Sequence, residues 1–301
     1  AGVIYGANLG ILKPANFDYN ASIEILVMVV LGGMGSIKGS IIAAVILTLL
    51  PELLRGASDY RMLIYAIALI AMMLFNNSSF KRNLTEKRNL QQAEKHFNLV
   101  FDRAWSDDLG GGLFWRIENT TKNACINGPA AIAGCLLYRI TKEEDYLEKA
   151  KQIYQWQLDT LCQGNGAVSD NIESDGKINT WCSTYNQGTF IGASQFLWEL
   201  TGEQKYLDEA ILAADYTMHE MFHDGVINTE ADGNDLPGFK GILARWLGKL
   251  VNEGGQEQYR EWMELNAENA WKNQNAKGLM WTLWGEKTQD TFYMPWGCSA
   301  A

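Results

Sequence analysis

Before residue 84 this 301-residue chain has no tryptophan, no cysteine and no histidine. All 11 Trp, all five Cys and all three His come later. Charge divides at the same place. Residues 1–83 carry six Lys/Arg and four Asp/Glu, a net of +2, while residues 84–301 carry 19 and 31, a net of −12. A single fold rarely segregates its residues this way, and the length alone suggests about two domains. The expectation is two unlike segments, 1–83 and 84–301, joined near residues 76–90.

Other shortages exclude whole classes of function. Cys125, Cys135, Cys162, Cys182 and Cys298 show no CxxC spacing and are odd in number. That argues against a zinc site and against a complete disulfide framework. No GxxxxGK[ST] occurs, so the chain has no ATPase loop of its own. DNIESDG, residues 170–176, lacks the spacing of a calcium-binding hand. No metal and no cofactor is expected. The second segment is acidic, whereas a nucleic-acid partner wants a basic surface, so none is expected. The first residue is Ala, and no basic-then-apolar leader opens the chain, so a signal peptide is not expected.

The first segment does have long uncharged runs: Ile25–Ile37, Gly39–Pro51 and Met62–Phe80. The last is 19 residues, close to the length that spans a hydrocarbon core. A helix with no polar face must be buried in protein or in lipid. Lys81 and Arg82 follow it, where a membrane helix would carry its cytoplasmic cations. The small residues of VLGGMGSIKGS, 30–40, allow close helix contact or a break in a helix; a Gly-rich turn between two soluble helices is the plain alternative. EILVMVVLGGMGSIKGSIIAAVILTLLPELLR, Glu24 to Arg55, and DYRMLIYAIALIAMMLF resemble the permease subunit of branched-chain amino-acid ABC transporters of the LivM/LivH type. The resemblance implies a fragment of a polytopic membrane protein for leucine-like amino acids, too short for a translocation path. It implies membrane association through residues 23–80, and an ATPase subunit as partner if that reading holds. Without insertion of 23–80 the chain is expected to be soluble.

The second segment contains a repeat. LLYRITKEEDYLEKA (136–150) aligns with FLWELTGEQKYLDEA (196–210) at an offset of 60. Leu137/Leu197, Thr141/Thr201, Glu143/Glu203, Tyr146/Tyr206, Leu147/Leu207 and Ala150/Ala210 are identical pairs. Apolar residues recur at three- and four-residue steps, as in a helix with one buried face. Helix–turn–helix units repeated at this period stack into a solenoid or close into a toroid. The links between units are long and rich in Gly, Asn, Asp and aromatics: WSDDLGGGLFWRIENTTKNA, GNGAVSDNIESDGKINTWCSTYNQG and HDGVINTEADGNDLPGFKG. A simple solenoid uses tight turns. Long links at one end of a toroid would line a pocket, with rings to stack on sugars and polar side chains to bond hydroxyls.

WSDDLGGGLFW, KNACINGPAAIAGCLLYRIT with YLEKAKQIYQW, TYNQGTFIGA and GFKGILARWL resemble glycoside hydrolase family 76, the endo-α-1,6-mannanases, from about residue 86 to the chain end. The resemblance implies an all-α fold. It would be an incomplete α/α toroid of the six-hairpin barrel type, short at both ends, preceded by two or three apolar membrane-type helices. It implies α-mannan or manno-oligosaccharide as substrate, cleaved with retention. Retaining chemistry needs one carboxylate as nucleophile and one carboxylic acid as proton donor. In the family these are an adjacent Asp-Asp pair on a helix one step upstream of the Gly-rich loop. Here residues 60–90 hold no such pair. Asp107 and Asp108 align with the loop itself, so the catalytic role is not assigned to them. The resemblance offers substrate-side candidates only: Trp115 as a ring platform; Asn123, Tyr185, Asn186 and Gln187 to bond sugar hydroxyls or hold loops; Lys240 for either; Asp170 and Asp235 as loop acids facing the pocket. Helix caps and turns use the same residue types.

Two families are thus joined, each without its working centre, as in a chimeric or misassembled reading frame or an artificial fusion. Three functions are expected to compete: an inactive mannan-processing domain, a transporter fragment, and a non-catalytic carbohydrate-binding α/α module.

Overall fold

A computed structural model describes residues 79–227, 230 and 235–290, together with helical positions 41, 44, 45, 48 and 49. The three apolar runs of the first segment fall almost wholly outside these residues. No helix among the described residues is long and apolar enough to cross a membrane. The chain divides into two compact units, Ala1–Gln92 and Ala93–Ala301.

Among the described residues of the second unit seven helices follow one another: α1 (Ser79–Ala104, beginning in the first unit), α2 (Ala124–Thr141), α3 (Glu144–Leu161), α4 (Thr184–Thr201), α5 (Gln204–Glu220), α6 (Phe239–Asn252) and α7 (Arg260–Lys272). Helices α2 and α3 form one hairpin and α4 and α5 the next. Across hairpins, α4 lies between α2 and α6. So α2, α4 and α6 form an inner row, and α3 and α5 lie outside it. This is the layering of an α/α toroid. The long links do not stay irregular. β1 (Thr121–Asn123), β2 (Asn171–Glu173) and β3 (Ile178–Asn179) form one antiparallel sheet, and β4 (Phe222–His223) pairs with β5 (Val226–Ile227).

The repeated sequence makes repeated geometry. Thr141 and Thr201 end their helices with hydroxyls bonded to Leu137 O and Leu197 O at 2.9 and 2.7 Å. Each hydroxyl then accepts the backbone N–H two residues on, from Glu143 and from Glu203. The residue between is left-handed in both, Lys142 at φ 65° and Gly202 at φ 74°. Its N–H returns to Tyr138 O or Trp198 O at 2.8 Å. The six identical pairs therefore encode one αα-turn used twice. Glycine takes this conformation without cost and lysine does not. Lys142→Gly is expected to stabilise the chain by about 0.5–1 kcal/mol. A thermal midpoint that fails to rise, with Gly202→Lys equally silent, would show that the turn is unstrained.

The paired Tyr, Leu and Ala of the second half carry the burial. Tyr146, Leu147 and Ala150, and Tyr206, Leu207 and Ala210, are all in the core. Tyr154 stacks on Phe190 with centroids 5.2 Å apart and takes the Ser194 hydroxyl at 3.0 Å, joining α3 to α4. The inner helices touch closely. A Cβ on Gly188 of α4 would lie 2.7 Å from Leu243 Cα of α6.

Candidate functional site

Each long link runs from the end of an outer helix to the start of an inner one, so all three lie at the same end of the hairpins. That end is the candidate site.

The first link, with WSDDLGGGLFW, is wrapped around one side chain. Lys122 of β1 is fully buried, and its ammonium donates to Ser106 O, Asp108 O and Gly111 O at 2.8, 2.5 and 2.5 Å. It also lies 4.5 Å from the centroid of the Phe114 ring. Burial lowers its pKa, and Asp108 and then Asp107 work against that. Gly110, Gly111 and Gly112, with φ of 82°, 121° and 85°, turn the chain back so that Gly111 O joins Ser106 O and Asp108 O at the ammonium. A Cβ on Gly112 would overlap the Trp156 ring, whose indole N–H donates to Leu109 O at 3.0 Å. Asp107 and Asp108 are exposed. Asp107 accepts the Trp105 indole N–H at 3.2 Å, and Asp108 accepts the Ser106 hydroxyl at 2.9 Å. Both bonds stay inside the loop.

The three links are pinned alike. Leu113, Val168 and Ile227 are buried, and each backbone N–H reaches a side-chain amide oxygen. The acceptors are Asn127 at 2.9 Å, Gln187 at 2.7 Å and Asn266 at 2.8 Å. Asn127 and Gln187 stand 60 residues apart at the starts of α2 and α4, each followed by glycine. The Gln187 nitrogen also bonds Gly166 O at 2.9 Å, so this side chain holds the link from within the core. Neutral amides suit this duty because they satisfy donor and acceptor at once.

Around the starts of the inner helices the polar residues range from buried Asn186 through half-buried Asp170 to exposed Asp235. Asp170 accepts the Asn186 amide at 3.1 Å, and burial raises its pKa against that bond. Tyr185 packs on Phe239 of α6 with centroids 5.1 Å apart. Burial raises its pKa, with Cys125 and Asp235 adding to the effect. Burial, aided by Asp170, pushes the Cys125 thiol up to about 11, so it stays protonated and is no nucleophile at neutral pH. The Asp170 and Asp235 charges both act on Cys125, and Asn186 is bonded to Asp170. Asp235 is exposed, and its carbonyl accepts the Gly238 N–H at 2.9 Å in the turn leading to α6. Buried Glu230 accepts the Thr184 N–H at 2.7 Å.

Lys240 is also fully buried. It donates to Thr282 O and lies 4.9 Å from the Trp284 centroid. Burial lowers its pKa to about 8, with Glu230 opposing. Asn123, at the start of α2, accepts the Thr121 hydroxyl at 2.7 Å. Trp115 is exposed beside β1, with the Arg116 guanidinium 3.9 Å from its ring centroid.

Asp170, Tyr185, Asn186 and Asp235 are therefore brought together, while Gln187 and Lys240 point into the packing behind them. Asp107 and Asp108 stay with their own loop. Lys122, Asn127 and Glu230 escaped the sequence reading. The Asn-Gly and Gln-Gly pairs at the repeat offset would have exposed Asn127; nothing in the sequence marks Lys122 or Glu230. No cluster of three or more His, Cys, Asp or Glu able to hold a metal ion occurs among the described residues.

Comparison with known proteins gives two matches. Residues 1–75 match the branched-chain amino acid transport system / permease component. There the chain is 39% identical over 75 residues to the high-affinity branched-chain amino acid transport system permease protein LivM of Salmonella typhimurium, covering 25% of this chain and 18% of that one. Residues 65–299 match glycosyl hydrolase family 76. The mannan endo-1,6-alpha-mannosidase DCW1 of Saccharomyces cerevisiae is 29% identical over 214 residues, 62% of this chain and 47% of that protein. The chain spans about half the length of the curated mannosidases it matches. Among solved structures, an inactive variant of the α-1,6-mannanase GH76A of Salegentibacter sp. HEL1_6 in complex with α-1,6-mannotriose is 33% identical, with a TM-score of 0.63 over 81% of each chain. In that variant two neighbouring aspartates are replaced by asparagine. The repeated hairpins and the links at their shared end all fall within residues 65–299, and a match over that much of the sequence means that, behind a permease-like stretch, the chain belongs to glycosyl hydrolase family 76.

Proposed function

We propose that the second unit binds α-1,6-linked manno-oligosaccharides at the inner-helix end and does not hydrolyse them. Asp170, Asn186 and Asp235 would take sugar hydroxyls, Tyr185 and Trp115 would offer ring faces, and Asn123, Gln187 and Lys240 would hold the surrounding backbone. One observation carries the inactivity. Asp107–Asp108 is the single adjacent Asp pair in the sequence, and both side chains are spent on bonds inside their own exposed loop. A nucleophile and a proton donor must instead face one glycosidic bond from two sides. The mannanase variant without its two neighbouring aspartates is inactive yet carries mannotriose, which supports separating binding from chemistry.

The test pairs two measurements on the full chain. Calorimetric titration with α-1,6-mannotriose is expected to show saturable binding, and α-1,6-mannan is expected to yield no new reducing ends. Robust release of reducing ends sinks the inactivity. Absence of binding sinks the site.

A further inference from the structure

At the other end of the inner helices, away from the long links, α2, α4 and α6 frame an open cavity of about 460 Å³. Small-molecule sites run from about 300 to 1,000 Å³. Its lining includes Arg139 in the last turn of α2, Phe196 in the second half of α4, and Arg245, Trp246 and Lys249 of α6, with Glu253 just past the helix end. No residue of the three links lines it.

Three cations are gathered here in a segment whose net charge is −12. They stand against two rings. Arg139 lies 5.2 Å and Lys249 4.8 Å from the Phe196 centroid, and Arg245 lies 4.9 Å from the Trp246 centroid. Phe196 is buried, and the two rings meet edge to face at 5.8 Å. Lys249 is already paired, with Glu199 and with Glu253. Arg139 and Arg245 are exposed and form no ion pair among the described residues. The negative end of α2 accounts for a cation at Arg139. It gives no reason for Arg245, which stands about two turns before the end of α6.

We infer that this cavity binds a small phosphate ester, with the phosphate taken by Arg139 and Arg245 and the organic part in the remaining volume beside Trp246. The site is separate from the inner-helix end and does not depend on the mannan reading. Chemistry narrows the ligand. A guanidinium held over a ring face spends none of its N–H donors there, so its fork stays free for an oxyanion. Each fork matches two oxygens of a phosphate or a carboxylate. Two unpaired forks in one cavity suit a dianion, whereas a single carboxylate fills only one. Size narrows it further, because a bare phosphate would leave most of the volume empty. Glu253 opposes an anion, but its side chain is 62% exposed and bonded to Lys249, and solvent screens it.

The experiment is calorimetric titration of the full chain with phenyl phosphate, inorganic phosphate and benzoate at one fixed ionic strength. Phenyl phosphate is expected to bind saturably, and more tightly than either of the others. Arg139→Gln and Arg245→Gln are each expected to weaken it roughly ten-fold, the loss of one charged hydrogen-bonded contact. Arg245→Lys keeps the charge without the fork and should fall between Arg245→Gln and wild type. Both arginines are exposed, so thermal midpoints should not move, and mannotriose titration should be the same in every variant. Benzoate binding as tightly as phenyl phosphate overturns the choice of a dianion. Unchanged affinity in both Gln variants overturns the site, since the anion must then sit elsewhere. Absence of saturable binding to the wild type overturns the inference outright, whatever the sugar titration gives.

Discussion

Lys122→Met is expected to cost about 3 kcal/mol of stability, seen as a large fall in the urea midpoint. The side chain is fully buried and serves three backbone carbonyls at 2.5–2.8 Å. Hydrogen bonds to a charged group contribute about 1.5–3 kcal/mol each, and a buried acceptor left alone costs about 1–3. Against this stands the cost of burying an ammonium, which shows as a lowered pKa. The carbonyls outnumber the charge, so removal should destabilise. Methionine keeps the length and loses the donors. Asp107→Asn with Asp108→Asn is the contrast. Those side chains are exposed and bonded only within the loop, so the double variant should cost less than about 1 kcal/mol. A midpoint for Lys122→Met no lower than that of the double variant would mean that the glycines and the Trp156 contact hold the loop unaided.

Gly188→Leu should be as damaging, by about 3 kcal/mol, and should also abolish sugar binding. Even a Cβ at this position would lie 2.7 Å from Leu243 Cα and 2.9 Å from Leu243 N. Those are backbone atoms, so no rotamer change can make room. Helices α4 and α6 must move apart, and Tyr185 and Asn186, within the turn before Gly188 on α4, move with them. Gly285→Ala controls for glycine loss as such, since nothing lies within 4 Å of a Cβ there. Circular dichroism melts and mannotriose titration read the two effects separately. Wild-type stability in Gly188→Leu would show that the inner row packs more loosely than this contact requires.

Much of the architecture was legible because it is local and repeated. Helix periodicity, the Thr-x-Glu turn and the Tyr-Leu-Ala triad recur at an offset of 60, and each recurrence has the same hydrogen bonds. The strands were not legible. β1, β2 and β3 are two or three residues long and lie in links read as loops. Runs that short carry no periodicity, and their pairing is a contact between distant parts of the chain. Gln187 and Lys240 show the same limit from the other side. Sequence marks them as polar residues at helix starts, which fits a hydroxyl binder and a loop pin equally. Only packing turned both toward backbone behind the site.

The sequence by itself determined the division into two unlike segments, the hairpin period, and the lack of an upstream Asp pair, because each depends on which residues are present and how far apart they stand. Tertiary structure decided how WSDDLGGGLFW is arranged. Its three glycines take positive φ, and three of its carbonyls close on Lys122, a residue outside the motif. The aspartates are left on the outside, bonded to their own loop. That outcome depends on where a lysine on a neighbouring strand places its charge, and a buried ammonium draws backbone carbonyls around it wherever the fold puts it.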